Sequence, residues 1–345
     1  MTNFYITKIF ILTTLSFILT FAWTPFLTKF LYHYSLGKGI RDTASAPIFV
    51  SMHKKKAGTP TMGGILVWVA VLFLSLLFFY LAKLFDGLFD QLNFLSRAET
   101  LLPLGALVAS AIVGLLDDLI DIKRMGKNGG GLRMRHRFII YGLIAIAGAW
   151  WFYVKLGWTI LYVPFFGYID IGFWYILFFI FVIIASAHSV NLTDGLDGLA
   201  GGTLMAAFGA YGAIAFAQGR YDLAAFCGVI GGALLAFLWY NINPARFFMG
   251  DTGSMSLGVT LGVIAMLTNA ALLLPIIGFI FVIETLSVLI QTFWKKVFKK
   301  KFFISSPLHH HLEAKGWPEP KIVMRFWVIA AVSSIIGLII FLVDK

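Results

Sequence analysis

Apolar residues run through this chain in long blocks, without the alternation of a half-buried strand or the polar face of a surface helix. Residues 65–85, ILVWVAVLFLSLLFFYLAKLF, carry one charge, near the far end. Such a run reads as a membrane span, since about 20 apolar residues in a helix cross the hydrocarbon core and the helix satisfies its own backbone groups there. Ten spans are expected, at about 7–30, 62–85, 101–117, 138–156, 172–190, 199–217, 222–240, 254–268, 271–294 and 324–343. The eighth is short, and its connection to the ninth at 268–271 is tight. The first has no small-residue cleavage site behind a short apolar stretch, so it reads as a retained helix and not a signal peptide. The expected fold is an all-α polytopic membrane protein, one domain over 1–345, with no internal repeat and no soluble module.

Composition agrees. Of 345 residues 60% are hydrophobic, 17% aromatic and only 12% charged. That excludes a soluble enzyme, a secreted disulfide scaffold, a disordered chain and a nucleic-acid reader. The single cysteine, Cys227, sits among apolar neighbours, permits no intramolecular disulfide and reads as small core filler.

Charge adds an orientation. With the loops assigned alternately to two sides, 21 of the 27 Lys and Arg fall on the side away from the termini. The positive-inside rule makes that side cytoplasmic and puts both termini outside. The acids split so that the outer side nets zero and the formal charge of +11 lies on the cytoplasmic face. Anionic lipid accounts for part of this, notably at Lys295–Lys301. A cationic basin that also holds carboxylates suggests a second use, the binding of phosphates through a divalent metal.

Five stretches on that side are unusually polar. The loop HKKKAGTPTMGG (53–64) is an ordered turn without the Gly-Lys-Ser/Thr of a Walker A loop, and Lys56, Thr59 and Thr61 are suited to phosphate. GLLDDLID (114–121) puts three acids at a helix C-terminus, against the macrodipole. Asp117 and Asp118 diverge by about 100° on a helix, so separate jobs are expected of them. HSVNLTDGLDGLA (188–200) has no basic residue to neutralise Asp194 and Asp197, and its glycines allow close backbone approach. In NINPARFFMGDTGS (241–254), Asp251 stands at a helix start, where simple capping is the plainer role. Phe247 and Phe248 suit interfacial anchoring or stacking on a base. PLHHHLEAKGWPEPK (307–321) holds three consecutive histidines, His309, His310 and His311. On a helix they point about 100° apart, which argues against a three-histidine zinc site and for pyrophosphate binding or proton transfer. Hard carboxylates with lysines, arginines and histidines on one face favour Mg²⁺, with Mn²⁺ second, and metal-assisted phosphoryl transfer at the membrane surface.

Read in order, GTPTMGG, the Asp-Asp pair, NLTDGLDGLA, FMGDTGS and HHH with GWPEP and RFW behind it closely resemble the polyprenyl-phosphate N-acetylhexosamine-1-phosphate transferases, over about residues 50–330. The HHH-to-RFW stretch is specific to the muramoyl branch. The resemblance implies a ten-helix, N-out, C-out enzyme of the bacterial inner membrane, its active-site loops facing the cytoplasm. It would transfer phospho-MurNAc-pentapeptide from UDP-MurNAc-pentapeptide to undecaprenyl phosphate with Mg²⁺, giving lipid I and UMP in peptidoglycan synthesis. It implies Asp251 as the metal residue, with Asp117 and Asp118 as further metal candidates, and Asp117 as the base toward the lipid phosphate. The uridine pocket would fall on Lys56, Gly195, Leu196, Asp197, Asn241, Phe248 and Gln291. Asn191, Asp194, Thr61, Arg137 and the three histidines would complete the site. A homodimer and a small external β-hairpin near 161–171 are implied as well. Two features depart from the family pattern: His188, where members usually carry Asn, and Arg133, Arg135 and Arg137, where they usually carry Lys. Rival readings are a sister transferase using UDP-GlcNAc, a transporter, which would place ionisable residues near mid-membrane on broken helices, and a structural partner of the cell-wall machinery.

Overall fold

The structure is a computed structural model that describes residues 2–37, 56, 58–85, 87–97, 99–123, 125 and 131–344. The basic residues Lys38, Arg41, Lys54, Lys55, Arg124 and Lys127 and the histidine His53 lie outside the described residues. The first helices are α1 (Thr2–His33), α2 (Ile65–Leu84), α3 (Leu88–Leu92), α4 (Leu101–Ile122) and α5 (Met134–Trp150), which continues through a π turn to Lys155. A hairpin follows, β1 (Ile160–Val163) with β2 (Gly167–Asp170). The rest is helical again: α6 (Trp174–Thr193), α7 (Leu199–Ala217), α8 (Tyr221–Asn241), α9 (Asp251–Leu267), α10 (Leu274–Ile277), α11 (Phe279–Phe298), α12 (Leu308–Ala314) and α13 (Glu319–Val343).

Among the described residues, eight helices are long and apolar enough to cross a membrane. Their outward faces expose Phe10, Phe26, Leu143, Phe181, Trp239 and Val328. An apolar exterior of this extent is stable only in lipid, so this is a polytopic membrane protein. Two expected spans have a different form. The eighth is α9, a 17-residue helix buried along its whole length. The ninth is broken at Gly278, where the turn Ala271–Ile277 and α11 meet at 83°.

Small residues explain why α9 is the central post. A Cβ on Gly114 of α4 would lie 2.4 Å from the carbonyl oxygen of Asp251, and one on Gly258 of α9 would lie 2.7 Å from Ala187 Cα of α6. Glycine at these positions lets α4, α6 and α9 touch backbone to backbone, the usual substitute for a hydrophobic driving force in lipid. Helices α1, α7 and α8 pack together beside them, and α13 packs on α7.

The hairpin pairs antiparallel, Leu161 opposite Ile169. Asn269, just past α9, accepts the Tyr162 N–H at 3.1 Å and donates to the Ile160 carbonyl at 3.2 Å. Asp344, past α13, accepts the Phe165 N–H at 2.7 Å and the Tyr162 hydroxyl. Tyr162 is thereby held with its phenol pushed up to about 12, by burial first and the Asp344 carboxylate second. The hairpin is thus pinned to the ends of two helices whose other ends carry Asp251 and Glu319.

Candidate active site

Helix direction gathers the polar motifs. Helices α4, α6, α8 and α11 end, and α5, α9 and α13 begin, at one end of the bundle. The Asp-Asp pair, the 188–200 loop, Asn241, Gln291, Arg137, Asp251, the histidines and the GWPEP turn therefore share one end, opposite the hairpin.

At its centre a single guanidinium joins two carboxylates. Arg137 Nε lies 2.6 Å from Asp117 Oδ2 and its Nη2 lies 2.7 Å from Asp251 Oδ2. All three side chains are largely buried. Asp117 Oδ1 also accepts the Leu132 N–H at 2.6 Å. The other oxygen of Asp251 accepts from Asn191 Nδ2 at 2.7 Å, and that same amide reaches Ser254 Oγ at 2.9 Å. Asp118 accepts the Thr252 backbone N–H at 3.0 Å. The two adjacent acids therefore have different surroundings, as their divergence on a helix requires. Thr61 is buried beneath Gly250, whose added Cβ would lie 2.7 Å from the threonine Oγ1. His188, one turn from the centre on α6, stacks on Phe138 at 4.2 Å between ring centres and turns Nδ1 to the Ile184 carbonyl.

A second cluster surrounds Lys56. Its ammonium contacts Asp197 Oδ1 at 2.7 Å and Glu319 Oε1 at 2.5 Å, and lies 5.8 Å from the centre of the Phe248 ring. Asp197 Oδ2 accepts from Asn243 Nδ2 at 3.0 Å and from the Ala245 N–H at 3.1 Å. Asn241 fastens this loop: its Oδ1 accepts the Gly198 N–H at 2.9 Å and its Nδ2 donates to the Phe247 carbonyl at 2.8 Å. Gly198 has φ +81 and needs no side chain there. Leu196 packs with Leu199, Ile322 and Phe326 below the loop. Asp194 caps the end of α6, half-buried, its N–H bonded to the Val190 carbonyl.

The three histidines point three ways. His309 Nδ1 meets Glu284 Oε2 at 3.0 Å. His310 Nδ1 meets Glu313 Oε2 at 2.7 Å. His311 Nδ1 accepts the Ile304 N–H at 3.2 Å, and its basicity is lowered by partial burial and then by the Lys315 charge. Gln291 stands apart from the Lys56 cluster. Its Oε1 accepts the N–H groups of Phe302 and Phe303 and its Nε2 donates to the Phe303 carbonyl, so its amide fixes the turn after α11.

Glu319, Glu284, Asn243, Ser254 and Glu313 belong to these clusters and were not among the residues expected from sequence. Glu284 carried a usable signal, because a carboxylate inside an apolar span needs a partner.

A membrane bundle whose one end presents carboxylates, guanidinium, ammonium and imidazole groups defines a class: the integral-membrane transferases. The comparisons specify it. The family model described as glycosyl transferase family 4 matches residues 100–269, and phospho-N-acetylmuramoyl-pentapeptide-transferase signature 1 matches residues 56–66. The chain is 40% identical over 329 residues to the phospho-N-acetylmuramoyl-pentapeptide-transferase of Geobacillus sp. (strain WCH70), covering 94% of this chain and 95% of that protein. It is 38% identical over 341 residues to the enzyme of that name from Chloroflexus aurantiacus, covering 95% of this chain and 88% of that one. The chain belongs to the phospho-N-acetylmuramoyl-pentapeptide-transferase family.

Proposed function

We propose that the protein transfers phospho-MurNAc-pentapeptide from UDP-MurNAc-pentapeptide to undecaprenyl phosphate, forming lipid I and UMP at the cytoplasmic face of a bacterial inner membrane. The observation that carries this reading is the Asp117–Arg137–Asp251 bridge at the end of a membrane bundle. It joins two carboxylates to a cation at the end of the bundle where the polar motifs gather.

The reaction needs the incoming phosphate oxygen, the transferred phosphorus and the departing UMP oxygen in line, with charge neutralised at each. In this reading Asp117 takes the proton from the lipid phosphate. The freed oxygen attacks the phosphorus that carries the sugar, the bond to UMP breaks, and its electron pair leaves with UMP. Arg137 holds Asp117 and Asp251 in register and offers its remaining N–H donors to phosphate. Lys56 lies where it can exchange a carboxylate for a phosphate oxygen, and Phe248 offers a ring face to the base.

Mg²⁺ fits the donor set. Such an ion is held by one or two carboxylates, with substrate oxygens and water completing its shell. Among the described residues no group of three His, Cys, Asp or Glu side chains converges, but Asp251 and Asp117 turn oxygens toward the same guanidinium. They are the residues that would hold the metal, while Asp118 is engaged by Thr252. When bound, the ion would neutralise the pyrophosphate; Mn²⁺ has the same ligand preference.

Ten spans follow in this reading from the eight long helices, the broken pair and α9. The Lys and Arg asymmetry supports both termini outside, and the family resemblance supports a homodimer.

The test is UMP release by purified protein given both substrates, with and without Mg²⁺, and with UDP-GlcNAc in a parallel reaction. Metal-dependent release from the muramoyl donor alone is expected. Release only from UDP-GlcNAc would assign the sister activity, and release from neither by folded protein would remove the enzyme reading.

A further inference from the structure

Glu284 lies within α11, in a run whose neighbours are Val282, Ile283, Thr285 and Leu286. Its side chain is fully buried, with no Lys or Arg within ion-pair distance among the described residues. A buried carboxylate without compensation is strongly disfavoured. Its compensation is His309, equally buried. Two donors converge on the carboxylate: the His309 backbone N–H, at 3.2 Å from Oε1, and the imidazole Nδ1, at 3.0 Å from Oε2.

This arrangement fixes the imidazole. The nitrogen facing the carboxylate carries the hydrogen, and the ring is held in one orientation, as when a carboxylate orients a histidine that acts elsewhere. The opposite nitrogen, Nε2, is buried and has no hydrogen-bond partner among the described residues. It faces Gly195, where an added Cβ would lie 2.2 Å from Nε2 and 2.7 Å from Cε1. The ring is therefore a floor beneath the first glycine of the Asp194–Gly198 turn. That turn supplies Asp197 to Lys56 and Gly198 to Asn241.

We propose that Glu284 is a positioning residue for nucleotide recognition: by fixing the orientation and tautomer of His309, it seats Gly195 and sets the height of the 194–198 turn against which the nucleotide of the UDP-sugar binds. The proposal rests on the transferase reading above. It gives His309 a supporting place under the nucleotide turn. Direct contact with pyrophosphate is left to the cationic groups on the open side.

The test compares Glu284→Gln with the parent. Glutamine removes the charge and puts an NH₂ donor where one carboxylate oxygen stood, so the two His309 donors that meet separate oxygens in the parent no longer find one each, and ring orientation and tautomer lose their anchor. UMP binding is measured by calorimetry, KM and kcat are followed for the nucleotide donor, and ¹⁵N-histidine spectra report the tautomer. Expected are an Nδ1–H signature in the parent that is lost in the variant, UMP binding and KM about tenfold weaker, and kcat at saturating donor within about threefold. Gly195→Ala is the second variant, because it leaves the dyad intact and presses on Nε2 directly; the same loss in UMP affinity is expected of it if Glu284→Gln does not fold. Parent-like UMP affinity in folded Glu284→Gln, or an Nε2–H tautomer in the parent, would overturn this proposal alone. A folded parent that binds no UMP would overturn the nucleotide reading and this proposal with it.

Discussion

Asp118 accepts the backbone N–H of Thr252 at 3.0 Å and thereby caps the helix that Asp251 begins. Its neighbour Asp117 instead holds Arg137 and the Leu132 N–H. One acid supports the helix; the other is the base in the proposed reaction. Asp118→Ala is expected to lower stability by about 1–3 kcal/mol, the range for a buried donor losing a charged partner. Asp117→Asn is expected to leave the melting temperature near that of the parent and to lower kcat far more than nucleotide affinity. Thermal melting and steady-state kinetics on both variants check the division. Equal melting temperatures with equal losses of kcat would show that the two acids act alike.

Arg137 contacts its two carboxylates through different nitrogens, Nε and Nη2. A lysine keeps the charge but is a single point. Arg137→Lys is expected to lose about tenfold in kcat, since it holds either Asp117 or Asp251 but not both in register. Arg137→Gln removes the cation that joins the two acids and is expected to lose about 100-fold, the scale of removing one charge-stabilising donor from an active site. The ratio of the two losses is the readout. Parent-like activity in the glutamine variant would remove Arg137 from the site.

Lys56 stands between Asp197 and Glu319, residues brought together from the two sides of the α7 and α13 starts. Removing it leaves two partly buried acids facing each other, with the Asp197 N–H still donating to Glu319. Lys56→Met is expected to lower stability by about 2 kcal/mol, from lost hydrogen bonds to charged groups. Glu319→Gln in that background is expected to recover about 1 kcal/mol through its coupling to the same network. Additive losses in the double variant would show that the contacts are energetically independent.

These three clusters mark where sequence reading works and where it stops. Apolar blocks placed nearly every helix, because the requirement for lipid solubility acts on each segment by itself. Their local form was harder to read: α9 is short because glycines, serines and threonines let it pack inside protein, and the bend at Gly278 depends on what surrounds it. The acids at 117, 118, 194, 197 and 251 were visible because each stands in a short polar motif. Their partners were not, since Lys56 finds Glu319 across 263 residues and His309 finds Glu284 across 25. Glu319 and Glu284 lie in different contexts, the first residue of one helix and the interior of another, and no local pattern links them to their cations. The motif marked Lys56 as suited to phosphate, but nothing local announced the two acids that engage it in this structure.

Glu99 lies just before α4, its carboxylate accepting the Leu223 N–H at 3.2 Å. Burial holds its pKa above the ordinary value of 4.5, and the charge of Asp222 adds to this. The folded state therefore binds a proton before the unfolded chain does. The sign follows: ionised Glu99 costs the fold stability at neutral pH, and that cost disappears as pH falls through the raised pKa toward 4.5. Glu99→Gln keeps the acceptor for Leu223 and removes the charge. It is expected to melt higher than the parent at pH 7, with the difference shrinking as the pH is lowered toward 4.5. A difference that stays constant over that range would show that ionisation of Glu99 is not its cause.

Orientation is open to a test that the chain itself makes simple. Its one cysteine, Cys227, is 3% exposed within α8, so the folded parent is expected to resist a membrane-impermeant maleimide. Phe166, 82% exposed at the hairpin tip, and Lys300, exposed just after α11, mark opposite ends of the bundle. Phe166→Cys is expected to label in intact spheroplasts, and Lys300→Cys only after permeabilisation. That pattern follows if the basic end faces the cytoplasm, the orientation that the positive-inside rule favours for this distribution of Lys and Arg. Labelling of Lys300→Cys alone in intact spheroplasts would invert the protein and put the Asp117–Arg137–Asp251 centre on the outside, away from any cytoplasmic nucleotide. Labelling of both before permeabilisation would break the span count, because the two positions would then share a side.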